Sequence, residues 1–188
     1  MILTDSQKRW LTLLTYVLFI YATLGIVSAP LRFLRAHGVL RLSLLFCFVL
    51  CSAGSLWALI KTGTRDTWRY AFLIGVFMTA LLIARRVKIP EEQVHFFEYG
   101  LVGILFVRAL EPKKGTGWRV FLWALLWSTV VGGVDELLQG LIPNRHFDQR
   151  DIFLNAVSAA LGLALYSIFP LGNRIRSSSI QQKRAFLS

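Results

Sequence analysis

Between Gly132 and Gly162 the chain reads GGVDELLQGLIPNRHFDQRDIFLNAVSAALG, placing Asp135, Glu136, Gln139, Arg145, His146, Asp148, Arg150, Asp151 and Asn155 between two apolar runs. Ionisable side chains at membrane depth are expensive, so where they occur they are paired and usually functional. A second polar cluster, PEEQVHFFEYG, starts at Pro90. On a helix starting there, Glu91, His95 and Glu98 fall at i, i+4 and i+7, one stripe, with Glu92 and Tyr99 beside it. In VDELLQG, Asp135 and Gln139 share a face while Glu136 is rotated about 100° away, so one carboxylate is expected to point into a bundle and the other elsewhere. Asp148, Asp151 and Asn155 follow at i, i+3 and i+7, again one face.

Two chemistries fit these residue types. Several carboxylates with a histidine could hold a hard divalent cation through oxygen ligands and so orient a phosphate or activate a water. Alternatively, Arg145 and Arg150 could grip a lipid phosphate bidentately, with His95 or a carboxylate as general acid or base. The spacing specifies no metal, and no P-loop, H-E-x-x-H pattern or nucleophilic serine or cysteine motif occurs. Structural duties compete for the same residues. Glu91 and Glu92 suit a helix N-terminus, Asp148 or Asp151 an N-cap, and Asn155 an interhelical hydrogen bond. Ala156, Ala159, Ala160, Gly162 and Ala164 agree with close helix packing.

These residues need elements to carry them, and the composition says which. Of 188 residues, 55% are apolar and 16% charged, a balance foreign to soluble domains and typical of a polytopic membrane protein. A bilayer core of roughly 30 Å needs about 20 apolar residues per helix. By that ruler six spans are expected: about 10–28, ended by Ala29 and Pro30, then 39–60, 68–84, 90–110, 118–139 and 151–169. No linker or low-complexity tract divides them, so residues 1–188 read as a single all-α membrane domain. Lys8 and Arg9 precede the first run as they would in a signal peptide, but the run is long and lacks an A-x-A site, which predicts a retained helix. Trp10, Trp57, Trp68 and Trp118 fall near span ends, as an aromatic belt requires. Cys47 and Cys51, four apart on one apolar run, suit neither a disulfide framework nor a thiolate metal site and read as packing residues.

The net charge of +11 sits at the ends of these runs, where it sets topology and meets anionic headgroups; it does not call for nucleic acid. Thirteen Lys and Arg lie on the side of both termini and eight on the other, which predicts cytoplasmic termini. Both polar clusters then emerge together on the outer face.

The ordered set His95-x3-Tyr99, Asp135-Glu136-x2-Gln139, Pro143-x-Arg145 and Asp151-x3-Asn155 resembles the VanZ-like integral membrane proteins, over about residues 90–165. The turn reads PNR where many members have PGR, and Ser158 and Ala159 stand where a glycine commonly follows the asparagine. The resemblance implies a bacterial inner-membrane protein tied to the cell envelope or to glycopeptide (teicoplanin) tolerance, and it supplies no reaction. The site expected from residue types and resemblance together assigns His95, Asp135, Glu136 and Asp151 to proton, charge or metal handling. It gives the ligand to Glu98, Tyr99, Gln139, Arg145, Asp148 and Asn155, with Arg145 on the anionic head. A phosphate-bearing membrane lipid or lipid-linked envelope precursor is the expected partner, and a divalent cation is a cofactor these residues could hold, with its identity left open. The competing expectation is a non-catalytic assembly or modulatory protein whose polar network only fixes helix packing. A transporter is disfavoured, since no internal repeat or matched pair of broken helices is present.

Overall fold

A computed structural model describes residues 3–114, 117–142 and 147–169, and among these the chain is all helix. Six α-helices follow one another: α1 (Asp5–Ala36), α2 (Leu40–Lys61), α3 (Thr67–Ala84), α4 (Val94–Lys114), α5 (Trp118–Gly140) and α6 (Gln149–Ile168). All six are long and apolar enough to cross a bilayer. The chain is therefore a multi-pass membrane protein, as its hydropathy predicts.

The first helix departs from expectation at both ends. It starts at Asp5, because Thr4 and Gln7 close a capping box, the Gln7 amide donating to Thr4 Oγ1 and the Thr4 amide to Gln7 Oε1. It also runs through Pro30 to Ala36, where Ala29 and Pro30 were expected to end it. A proline removes one backbone hydrogen bond and crowds the preceding turn but keeps a helical φ, so a helix with good formers on either side can carry it. Gly38, at φ 70°, takes the left-handed turn that reverses the chain into α2.

Pro90 does not open α4 directly. Residues Pro90–Gln93 form a single 3-10 turn, tethered when Gln93 Nε2 donates to the carbonyl of Ala84. Glu91, in this turn, pairs with Arg35 of α1 at 3.1 Å and still lines one cavity with His95 and Glu98.

α4 is the hub. About 56% of its spanning window is buried, against 6% for α2 and 11% for α3, although it is the least apolar of the six, so its polar side chains are enclosed by neighbouring helices. Its closest partner is α6, and small residues set that approach. A Cβ on Gly162 would overlap the Gly100 carbonyl, and one on Gly103 would sit 2.7 Å from the carbonyl oxygen of Ala159. Bilayer helices gain nothing from exchanging one apolar neighbour for another, so they associate where small residues let backbones touch. Of the small residues singled out on this span, Ala159 and Gly162 lie in the crossing and Ala160 is exposed.

Named contacts place the two ends of the bundle. At one end Arg35 meets Glu91, and the Asp148 amide meets Glu136. At the other, Arg9 donates to the Arg108 carbonyl, Arg69 to the Ile168 carbonyl, and the Tyr166 hydroxyl to Glu111 Oε2 at 2.8 Å. Tyr166→Phe should lower stability by about 1–3 kcal/mol, measured as thermal unfolding in detergent, because it leaves a half-buried carboxylate without its donor. Outward faces of α2 and α3 stay apolar, and Trp57, Trp68 and Trp118 are exposed near helix ends. Cys47 and Cys51 are both accessible rather than closely packed, Cys51 because it lines a cavity between α2 and its neighbours.

Candidate functional site

Three segments converge at the first of these ends, the start of α4, the last two turns of α5 and the start of α6. Asp135, Glu136 and Asn155 are all 0% exposed, and Gln139 is 7% exposed. The 100° between Asp135 and Glu136 allows one carboxylate to point elsewhere, yet both are buried within the bundle. α5 packs on α1, α4 and α6, so it buries an arc wider than the 100° between them, while Val134 and Leu137 take the exposed side. Gln139 reaches both, its Nε2 standing 3.1 Å from Asp135 Oδ2 and 3.3 Å from Glu136 Oε1.

Asp148 does not share a helical stripe with Asp151 and Asn155. It is the N-cap of α6, in extended backbone, with Oδ1 accepting from the Arg150 amide at 2.8 Å. Its own amide donates to Glu136 Oε2 at 3.4 Å, which ties the end of α5 to the start of α6. Asp151 and Asn155 do share the inward face, one turn apart. Asn155 lies deepest, beside Gly132 and Tyr99. A Cβ at Gly132 would stand 2.8 Å from Asn155 Cβ and 3.3 Å from the Tyr99 ring, so glycine there lets α4, α5 and α6 meet.

From α4, His95 and Glu98 face each other, with 3.4 Å between His95 Nδ1 and Glu98 Oε2, and the Tyr99 ring stands 5.9 Å from the imidazole. Tyr99 is wholly buried and within electrostatic reach of Asp135. Among the described residues, the Tyr99 hydroxyl, Asp135 Oδ1 and both ends of the Asn155 amide have no hydrogen-bond partner. Ligand atoms of His95, Glu136 and Asp151, one from each of three helices, lie within 4.8 Å of one another, a grouping able to hold a metal ion. A cavity of about 110 Å³ adjoins them, walled by Glu91, Glu92, His95, Glu98, Gln139 and Asp151 on one side and by apolar α1 side chains on the other. Of the residues expected at the site, Arg145 lies outside the described residues; the others come to this end of the bundle.

A second feature was not foreseen. On the opposite face of α4 lies a cavity of about 490 Å³ between α2, α3, α4 and α6, apolar along Phe48, Phe77, Phe97, Ile104 and Leu165. Arg41 and Arg85, the first turn of α2 and the C-cap of α3, border it at the same end as the polar site. Sequence reading takes these arginines for topology charges and interface anchors. Their one signal is position, since both stand at ends of spans that the hydropathy locates correctly.

The family model described as VanZ/LLP1 matches residues 39–170. That range takes in α2 and α3 as well as the polar motifs, so the arginine-bordered cavity lies inside the matched region except for Tyr16 of α1. Comparison with curated proteins and with solved structures finds no match.

Proposed function

The chain belongs to the VanZ/LLP1 family, and from that premise we propose that it is a bacterial cytoplasmic-membrane protein that binds a phosphate-bearing lipid or lipid-linked envelope precursor. The observation that carries this reading is the apolar cavity of about 490 Å³ that ends at two arginines, one helix away from a buried polar cluster. A lipid tail suits the apolar walls, and a guanidinium pair suits a phosphate, which it engages bidentately. His95, Asp135, Glu136 and Asp151 are then the groups that act on or orient the head, with Glu98, Tyr99, Gln139 and Asn155 holding them. The excess of Lys and Arg at the opposite end favours cytoplasmic termini and an outward-facing site. Handling of a lipid-linked precursor on that face would connect the protein to the envelope and to glycopeptide tolerance.

A second reading has its own support. Gln139 bridges the two buried carboxylates and Glu136 accepts the Asp148 amide, bonds that a purely architectural network would also make.

Mass-spectrometric inventory of lipids that copurify after a stringent detergent wash tests the binding reading. The wild type should retain a phosphate-bearing lipid. An Arg41→Gln/Arg85→Gln variant and an Ala80→Phe variant, which fills the cavity, should each lose it by at least about tenfold, the effect of losing one charge-assisted contact. Arg145→Gln is included because the sequence assigns that residue to the anionic head. Equal inventories in wild type and all three variants would reject a lipid site here.

A further inference from the structure

We infer that His95, Glu136 and Asp151 hold a divalent first-row transition cation, of the Mn²⁺ or Zn²⁺ kind, where α4, α5 and α6 meet. Their ligand atoms lie within 4.8 Å of one another. Around an ion with bonds of about 2.1 Å, tetrahedral ligands stand about 3.4 Å apart, so side-chain adjustments on the order of 1 Å close the site. Each ligand comes from a different helix, so no local sequence preference accounts for the convergence; it exists only because the three helices pack.

Charge supports the ion independently. Asp135 and Glu136 are consecutive and both 0% exposed. Isolated carboxylates removed from water are costly and call for a cation or a dense set of donors. The basic side chain in the wall of the adjoining cavity is His95, and Arg35 of α1 is spent on Glu91 of that wall. Gln139 supplies one amide nitrogen shared between the two carboxylates.

The layer beneath the three ligands is also set for a ligand. Asn155, 0% exposed and one turn below Asp151 on the same face of α6, has no partner for either end of its amide among the described residues. Such atoms suit a further coordination position or a metal-bound water. Glu98 Oε2, 3.4 Å from His95 Nδ1, is placed as the carboxylate behind a ligating histidine, leaving Nε2 for the ion.

The donor set selects the metal class. One imidazole with two carboxylates suits Mn²⁺, Fe²⁺ or Zn²⁺, whereas Ca²⁺ and Mg²⁺ prefer oxygen alone. Three protein ligands beside an open space mark a site that keeps positions free for water or an anion. The adjoining cavity of about 110 Å³ has that space. A cation here would polarise a phosphate oxygen or activate a water, but the inference stands whether or not a lipid binds.

The test uses the metal alone. Full-length protein in detergent, stripped with chelator and passed through gel filtration, is titrated with MnCl₂ or ZnCl₂, with bound metal and melting temperature as readouts. The wild type should bind about one equivalent with a saturable rise in melting temperature, as expected for a ligand specific to the native state. Glu136→Gln and Asp151→Asn should each weaken binding by at least tenfold, and Glu98→Gln by a factor of about 10 through the histidine it positions. Glu111→Gln, at the other end of the bundle, should bind as the wild type does. Absence of saturable binding by the wild type, or binding unchanged in Glu136→Gln and Asp151→Asn, overturns the site. Should those variants fail to fold, the wild-type titration decides alone.

Discussion

Gly162→Ala should be among the most damaging single substitutions in this protein, lowering stability by about 3 kcal/mol or more, although it adds one methyl group. The new Cβ would overlap the Gly100 carbonyl and come within 2.8 Å of the Gly100 Cα, and these are backbone atoms that no rotamer change can move. α4 and α6 would have to separate along the crossing that positions His95, Tyr99, Asp151 and Asn155. Gly133→Ala, on α5 with nothing within 4 Å of its Cβ, should be neutral or stabilising by about 0.5–1 kcal/mol. Thermal unfolding of both variants in one detergent checks the contrast; similar melting temperatures would show that the α4–α6 approach is looser than these backbones imply.

Asp135→Asn separates the two readings of the polar cluster. If the cluster binds and acts on a ligand, the variant should fold with a stability change within about 1 kcal/mol, because an amide keeps the shape and can still accept from Gln139. Ligand retention should nevertheless fall by at least about tenfold. An architectural network predicts the opposite pattern. Removing one charge from a set of buried, mutually compensating groups then costs about 3–5 kcal/mol, and copurified lipid is unchanged in whatever protein remains folded. Melting temperature and lipid inventory on the same preparation give both numbers. A variant that is stable and still loaded with lipid would remove Asp135 from the site under either reading.

Much of this was legible in the chain, and the reasons differ by residue. Spans were readable because apolar runs of bilayer length have few other uses, and only the first was misjudged at its ends. There the T-x-x-Q capping box at Thr4 sets the start ahead of the apolar run, and α1 carries Pro30 in its interior at the cost of one backbone hydrogen bond. His95, Asp135, Glu136, Asp151 and Asn155 stood out because polar groups at membrane depth are costly enough to need a reason. Where helical periodicity was extended past helix ends it failed. Glu91 lies in a 3-10 turn and Asp148 is an extended N-cap, so neither keeps the 100° step.

Sequence alone thus determined the class of molecule, the number of its spans and the segments that bring polar residues to one end, because hydropathy and alternation of direction follow from local composition. Tertiary structure alone decided which polar atoms meet. That both Asp135 and Glu136 turn inward depends on how many helices surround α5, and the grouping of His95, Glu136 and Asp151 depends on how closely α4 and α6 approach. Arg41 and Arg85 come to border one cavity only because the helices around it pack as they do. Such distances are set by packing between segments far apart in the chain, and no pattern within one segment encodes them.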